Sequence, residues 1–282
     1  MAIIYKNEYL TKLQERLSEN TLWKEICKVE YTDVQVIHNP YLTDVTANSG
    51  TRGTGYTPEA VETTDDTITI NTYYIAAQYI DRADLAQKTF AGMMDLADNQ
   101  GIVLDERLVT AMLAEHAQFT NFDNASIGGA ARNITVSESN IDDLIRGMKR
   151  EIIEAHGEKL SNRNGMFIVW RAADFEKLEA YANAQGFNTA DDSLKNGIKN
   201  GFKYLGVEHY VSNFHTANHL FGGVKKVFHC GICKSTYGKM YETVDPVVGG
   251  AQISGIGINS RIDYAFKAWN NVTAVLFDIL VA

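Results

Sequence analysis

Histidines and cysteines crowd between positions 215 and 233 of the 282-residue sequence. His215 and His219 have the spacing His-x3-His, and His229 and Cys230 are followed by Cys233 in a Cys-x2-Cys pair. Imidazole and thiolate are zinc ligands, and such a cysteine pair can place two sulfurs on one ion. His215, His219, Cys230 and Cys233 are therefore the metal set to weigh, and with it a zinc-binding enzyme. Against it, His229 and Cys230 adjoin the apolar pair Val227 and Phe228, where small cysteines pack as well as they ligate. The expectation is a structural cluster with no metal and no cofactor.

Other chemistry is thin. The glycine-rich run Gly249–Gly257 has no following Lys-Ser/Thr and no nucleotide-binding strand before it, so it reads as a turn and a bulged strand. No Gly-x-Ser-x-Gly elbow occurs. The acidic pairs Asp142-Asp143 and Asp191-Asp192 fall near helix starts, where carboxylates favour the helix dipole. Nothing assembles a nucleophile, a base and an oxyanion site, so no catalytic residue is expected.

The chain carries 35 acids against 26 bases, a net charge of −9, which disfavours a dedicated nucleic-acid binder. Three cysteines imply no disulfide framework and fit a reducing compartment. The first residues lack a signal-peptide pattern, and no apolar run is long enough to span a membrane.

The elements around the cluster alternate irregularly between helix and strand, which points to an α+β fold. Asn7–Lys28 reads as an amphipathic helix through Leu10, Leu13 and Leu17, with a break near Ser18–Thr21. Val34–His38 and Thr67–Tyr74 read as strands. Between them, Asn39–Asp66 is rich in Gly and Thr and poor in large apolar residues, as a functional or extended loop would be. Together they make a long hairpin, marginal on its own in water. Asp84–Gln118 reads as helix in two pieces about Gly101, Ser139–His156 as an amphipathic helix, Met166–Trp170 as a buried strand, and Ala172–Gln185 and Leu194–Tyr204 as helices. Val207–Ser212, Val224–Phe228, the run from Lys239 and Val272–Val281 read as strands.

This order of elements resembles the major capsid proteins of tailed bacteriophages, with their Hong Kong 97-like fold. Asn164–Leu178 is similar to that family's strand, turn and Asp-containing helix at the start of the axial domain. Gly201–Asn213 resembles its following strand ending in Ser-Asn, and Phe221–Val224 with His229–Gly231 the strand after it. The resemblance lies in pattern and order over nearly the whole chain. It implies an N-terminal arm (1–30), an extended hairpin loop with flanking strands (31–80), a spine helix and peripheral domain (81–163), an axial domain (164–258) and a strand returning to the peripheral domain (259–282).

It further implies a non-enzymatic shell subunit, assembling with itself as hexamers and pentamers into an icosahedral or prolate head around double-stranded DNA. The localisation would be the virion, and the host cytoplasm during assembly. A portal protein, a decoration protein, non-specific contact with packaged DNA and no membrane belong to the same expectation. There is no long charged coiled-coil extension at the N-terminus, so a separate scaffolding protein is implied. The founding member's crosslinking residues do not align here, so no crosslink is predicted. An encapsulin-like nanocompartment shell is the alternative.

The expected contacts between copies follow from exposure and charge. Leu10, Leu13 and Leu17 have no helical neighbour nearby in sequence. From Tyr31 to Ile80 the acids Asp33, Asp44, Glu59, Glu62, Asp65 and Asp66 face one base, Arg52. An acidic arm seeks a basic acceptor, and Arg146, Lys149 and Arg150 on one helix face are the expected one.

Overall fold

The computed structural model describes residues 11–15, 21–42, 52, 53, 55, 60–81, 91–122, 133–184, 202–252 and 254–282. Residues 11–15 are helical and are followed by the short helix α1 (Leu22–Ile26). The helix expected to continue to Lys28 stops earlier. Cys27 turns extended (φ −83°, ψ 151°), and β1 (Lys28–Thr32) begins. Strand β2 (Val36–Leu42) pairs antiparallel with β3 (Thr63–Thr69), from Val36 opposite Thr69 to Leu42 opposite Thr63. This is the base of the expected hairpin; most of its tip lies outside the described residues. The expected strand Thr67–Tyr74 is two: the chain leaves β3 at Ile70 and starts β4 (Thr72–Asp81).

The long helix α2 (Ala91–Ala114) ends in a 3-10 turn, Glu115–Gln118. It runs through Gly101 unbroken, not in two pieces. Interior glycine costs a helix about 1 kcal/mol, but Ala97, Leu104, Leu108 and Met112 keep one buried stripe on both sides of it. A two-residue strand, β5 (Thr120–Asn121), follows. Helix α3 (Ile141–Glu154) buries Ile141, Leu144, Ile145, Met148 and Ile152, the expected apolar face apart from the exposed Ile153. Then come α4 (Glu158–Asn164), β6 (Met166–Trp170) and α5 (Ala172–Ala184).

The remaining elements are strands. Phe202–Tyr204, expected at the end of a helix, forms β7, because it pairs antiparallel with β8 (Val207–Val211). Val224–Phe228, expected as one strand, is instead the passage between β9 (His219–Val224) and β10 (Phe228–Cys233). Lys226 takes a left-handed φ of 60°, which no strand can continue through. Next are β11 (Met240–Val244), β12 (Val247–Val248), β13 (Ala251–Gln252), β14 (Gly255–Ala268) and β15 (Leu276–Leu280). Gly249 and Gly250 both have positive φ, 60° and 85°, as the two-residue turn between β12 and β13 requires.

Two sheets organise the chain. One runs β1-β10-β14-β11, with β4 along the opposite edge of β14, from Thr72 opposite Tyr264 to Asp81 opposite Gly255. The other runs β5-β15-β9-β6-β8-β7. Strands β10 and β11, from the expected axial segment, lie with β1 and β4. The last strand, β15, pairs antiparallel with β9 and parallel with β5 in the six-stranded sheet, and Val281 bridges Ile134. The sheets share one core. Phe119 sits edge-on to Phe221 of β9 and Phe228 of β10, with ring centroids at 4.4 and 5.1 Å.

Candidate functional site

The metal set weighed above, His215, His219, Cys230 and Cys233, is not brought together. His219 opens β9 in one sheet, whereas Cys230 and Cys233 lie on β10 in the other. No three of the four bring their ligand atoms together. Burial pushes the Cys230 thiol up, away from the thiolate a metal needs. The Cys233 sulfur faces Ser235 Oγ at 2.9 Å. The adjoining His229 is committed elsewhere: Trp269 Nε1–H donates to its Nδ1 at 3.2 Å, and its Nε2 lies 3.1 Å from Glu30 Oε2. His219 instead stacks on His116 beside Asp278, a grouping the sequence did not disclose. A trace of it was legible: Asp278 is the one charge in the apolar run Leu276–Leu280.

The residues expected to touch other copies divide into several groups. Leu13 is fully buried in the main core of its own chain, so it is no surface for a neighbour. The first helical segment folds back, and Trp23 in α1 donates its indole N–H to Asp105 of α2 at 2.7 Å. Leu10, Leu17 and Glu59 lie outside the described residues. Asp66 is also engaged within the chain: its carboxylate accepts from the Asn270 backbone N–H at 2.9 Å and pairs with Lys267 at 3.1 Å. Ile37, Ile68, Ile70 and Trp269 form a small apolar cluster that seats the hairpin base on the end of β14. Arg52, Glu62 and Asp65 are exposed, with His38 Nδ1 2.6 Å from Asp65 Oδ2, and Leu42 and Val61 are 63% and 77% exposed.

The basic face of α3 is partly neutralised at home. Arg146 pairs with Asp142 at 2.6 Å, and Arg150 lies 3.5 Å from Glu154. Lys149 donates to the Leu205 carbonyl at 2.7 Å. Arg146 and Arg150 keep exposed side chains.

Sequence reasoning missed a more telling surface. Strand β4 is apolar on both faces. Tyr74, Ala76 and Ile80 turn inward, and Tyr74 stacks on Tyr264. Tyr73, Ile75, Ala77 and Tyr79 form the outer row and are exposed. Arg261 lies over the Tyr73 ring at 4.1 Å and pairs with Asp263. Among the described residues, the free edge of β4 has no strand partner. The signal was present in the sequence, since a strand apolar at both parities expects cover on both faces.

No family model matches the sequence, and no curated protein does. Solved structures do match in shape. The capsid structure of the Cyanophage P-SCSP1u is 12% identical, with a TM-score of 0.56 over 94% of this chain and 89% of its own. A chain of the bacteriophage PhiM1 mature capsid is 12% identical, with a TM-score of 0.59 over 94% and 88%. The virus-like particle from Pyrococcus furiosus is 10% identical, with a TM-score of 0.59 over 98% and 99%. At these identities the likeness is one of fold: the chain has the Hong Kong 97-like fold of tailed-phage capsid proteins.

Proposed function

We propose that this chain is a major capsid protein, which assembles with copies of itself as hexamers and pentamers into an icosahedral or prolate head shell. The observation that carries this reading is the two-way coverage: nearly all of this chain matches nearly all of each capsid chain. The surface supports it. A row of Tyr73, Ile75 and Tyr79 beside an unpaired strand edge suits cover by another copy. Obligate interfaces commonly bury about 2,000 Å² or more, and a free edge offers backbone pairing as well. The role is structural and not enzymatic.

A scaffolding protein, a portal protein and a decoration protein are the further partners of this reading. The location is the virion, and the host cytoplasm during assembly. Contact with packaged double-stranded DNA is non-specific, in keeping with the net charge of −9. No helix among the described residues is long and apolar enough to cross a membrane. Between copies, the outer carboxylates Glu62 and Asp65, with Glu59, meet Arg146 and Arg150 of a neighbour.

Electron microscopy of the expressed chain, alone and with any adjacent scaffold gene, tests the proposal. Closed shells are expected; a compact lone monomer under every condition would sink it. A second reading, an encapsulin-like nanocompartment, draws on the match to the virus-like particle over 99% of that chain. Portal and terminase genes nearby favour the phage reading, and a ferritin-like or peroxidase gene the nanocompartment.

A further inference from the structure

Strand β4 lies along one side of β14, and among the described residues no strand pairs with its other edge. It is ten residues long, and Thr72–Ile80 carries no charge and no proline. Sheet edges are ordinarily kept from pairing with other chains by being short or by carrying charges or proline. The other described edges follow that rule. β5, β12 and β13 have two residues each, and β7 has three with Lys203 at its centre. β1 and β11 have five each, with Lys28 and Glu30 in the first and Glu242 in the second. In the hairpin, β2 holds Pro40, and β3 holds Asp65 and Asp66. Among the described edges β4 alone combines length with the lack of all these devices, as a strand that takes on another strand would.

The residues of β4 favour a second copy of the same strand. Without charge from Thr72 to Ile80, the strand offers an unrelated protein no electrostatic handle, and against itself it meets no repulsion. Residues directly opposed in an antiparallel pair share a face of the sheet, so two copies related by a two-fold axis must be centred on a residue. Centred on Ala76, Tyr73 falls opposite Tyr79 of the second copy, and Ile75 opposite Ala77. The outer row then carries an aromatic cross-strand pair at each end and a large residue against a small one between them. Tyr73, Ile75 and Tyr79 are each about half exposed in the single chain, so this row has area left to bury. The inner side brings Ala76 against Ala76, and α2 already packs behind it, with Gln100 Nε2 3.4 Å from Gln78 Oε1. Other centres fit worse. A shift to Ala77 sets the Tyr73 ring against the Asp81 carboxylate, and a shift to Ile75 carries Tyr79 past the end of the strand to Asn71.

We propose that two copies of this chain join edge to edge through β4, antiparallel and centred on Ala76, to make one continuous sheet across a two-fold axis. The contact deepens the shell reading by naming the strand through which copies meet. It rests on that reading only in taking the second strand to belong to this same chain.

Opposed Cα atoms in an antiparallel pair lie about 4.5–5.5 Å apart, within reach of a disulfide. Full-length Ala76→Cys, assembled and then oxidised, should therefore run mostly as a covalent dimer on a non-reducing gel, where wild type runs as a monomer. Ala77→Cys, which faces Ile75 and not itself, should stay monomeric. Ile75→Cys and Ala77→Cys in one chain should crosslink through the exposed row, which keeps the test open where Ala76→Cys misfolds. Hydrogen exchange on wild-type protein needs no variant: β4 amides should slow on going from dilute to assembled protein. Ala77→Cys dimerising as readily as Ala76→Cys, or β4 exchange unchanged on assembly, overturns the proposal. So does a crosslink from Ala76→Cys to a scaffolding protein in place of a second copy. Shells of Ala76→Cys that do not crosslink overturn the β4 contact and leave the shell reading standing. Crosslinked dimers that never form shells support the contact and count against the shell.

Discussion

The indole N–H of Trp170 donates to Nδ1 of His209 across 2.8 Å inside the six-stranded sheet, which fixes that imidazole as neutral. Burial takes His209 down to about 4 from its ordinary 6.5, partly opposed by the hydrogen bond to the Tyr204 carbonyl. Burial does the same for His215, to about 4. Between those values the unfolded chain binds more protons than the folded one, so stability rises with pH there. It is therefore full above pH 6.5 and is lost as pH falls toward 4, by at most about 3 kcal/mol per histidine. Thermal melts between pH 7 and 4 should show a falling midpoint, less steep in His209→Gln. A wild-type midpoint unchanged over that range would rule this out.

Acid should act a second time through Glu208. Burial raises its carboxyl, but hydrogen bonds from Lys225, Tyr210 and Lys203 outweigh that and hold it down to about 2. Lys225 Nζ is 2.5 Å from Glu208 Oε2 and 2.8 Å from the Tyr210 hydroxyl. A depressed carboxyl contributes stability above its ordinary value of 4.5 that disappears as pH falls toward 2. Glu208→Gln should melt lower than wild type at pH 7, and the gap should close toward pH 2. A gap independent of pH would contradict the assignment.

Asp66 decides how firmly the hairpin base is held. Replacing it by Ala removes an acceptor for the Asn270 N–H and the partner of Lys267, a loss of roughly 1–3 kcal/mol. Hydrogen exchange should quicken in β2 and β3 more than in β6 or β9. Uniform quickening would mean that the hairpin and the body unfold as one unit.

Gly223 cannot be replaced without moving β15. Its φ is +146°, and a Cβ there would lie 2.4 Å from the Val275 carbonyl oxygen. Gly223→Ala should cost about 2 kcal/mol or more, placing it among the larger single-site effects. Denaturant midpoints measure this, and a loss below ~0.5 kcal/mol would show that the strand shifts freely.

Charge on the outer row of β4 should separate folding from assembly. Ile75 is 49% exposed in the single chain, so Ile75→Glu should leave the melting temperature within a few degrees of wild type. The same change should prevent shell formation, as seen by sedimentation and electron microscopy. Shells formed by Ile75→Glu as readily as by wild type would take this row out of the interface. Reversing Arg146 and Arg150 to Glu tests the charged contact separately, while Lys149 is left in place to hold the Leu205 carbonyl.

The sequence by itself determined what short-range periodicity encodes. Ile141, Leu144, Ile145, Met148 and Ile152 recur at helical spacing, and α3 buries that face. The Thr-Ile alternation marked strand in Thr67–Tyr74, which the fold divides between β3 and β4, and Gly249 and Gly250 marked a turn, because each pattern depends only on neighbouring residues. Tertiary structure alone decided partners. The break at Lys226 that passes the chain from one sheet to the other is a backbone state without a side-chain signature. The pairing of β15 with β9, and of β4 with β14, joins segments far apart along the chain. Leu13 and Asp66 read as unsatisfied in sequence, yet the folded body meets both. His116, His219 and Asp278 converge for the same reason: the free energy of each contact depends on what a distant segment presents, and local spacing carries no record of that.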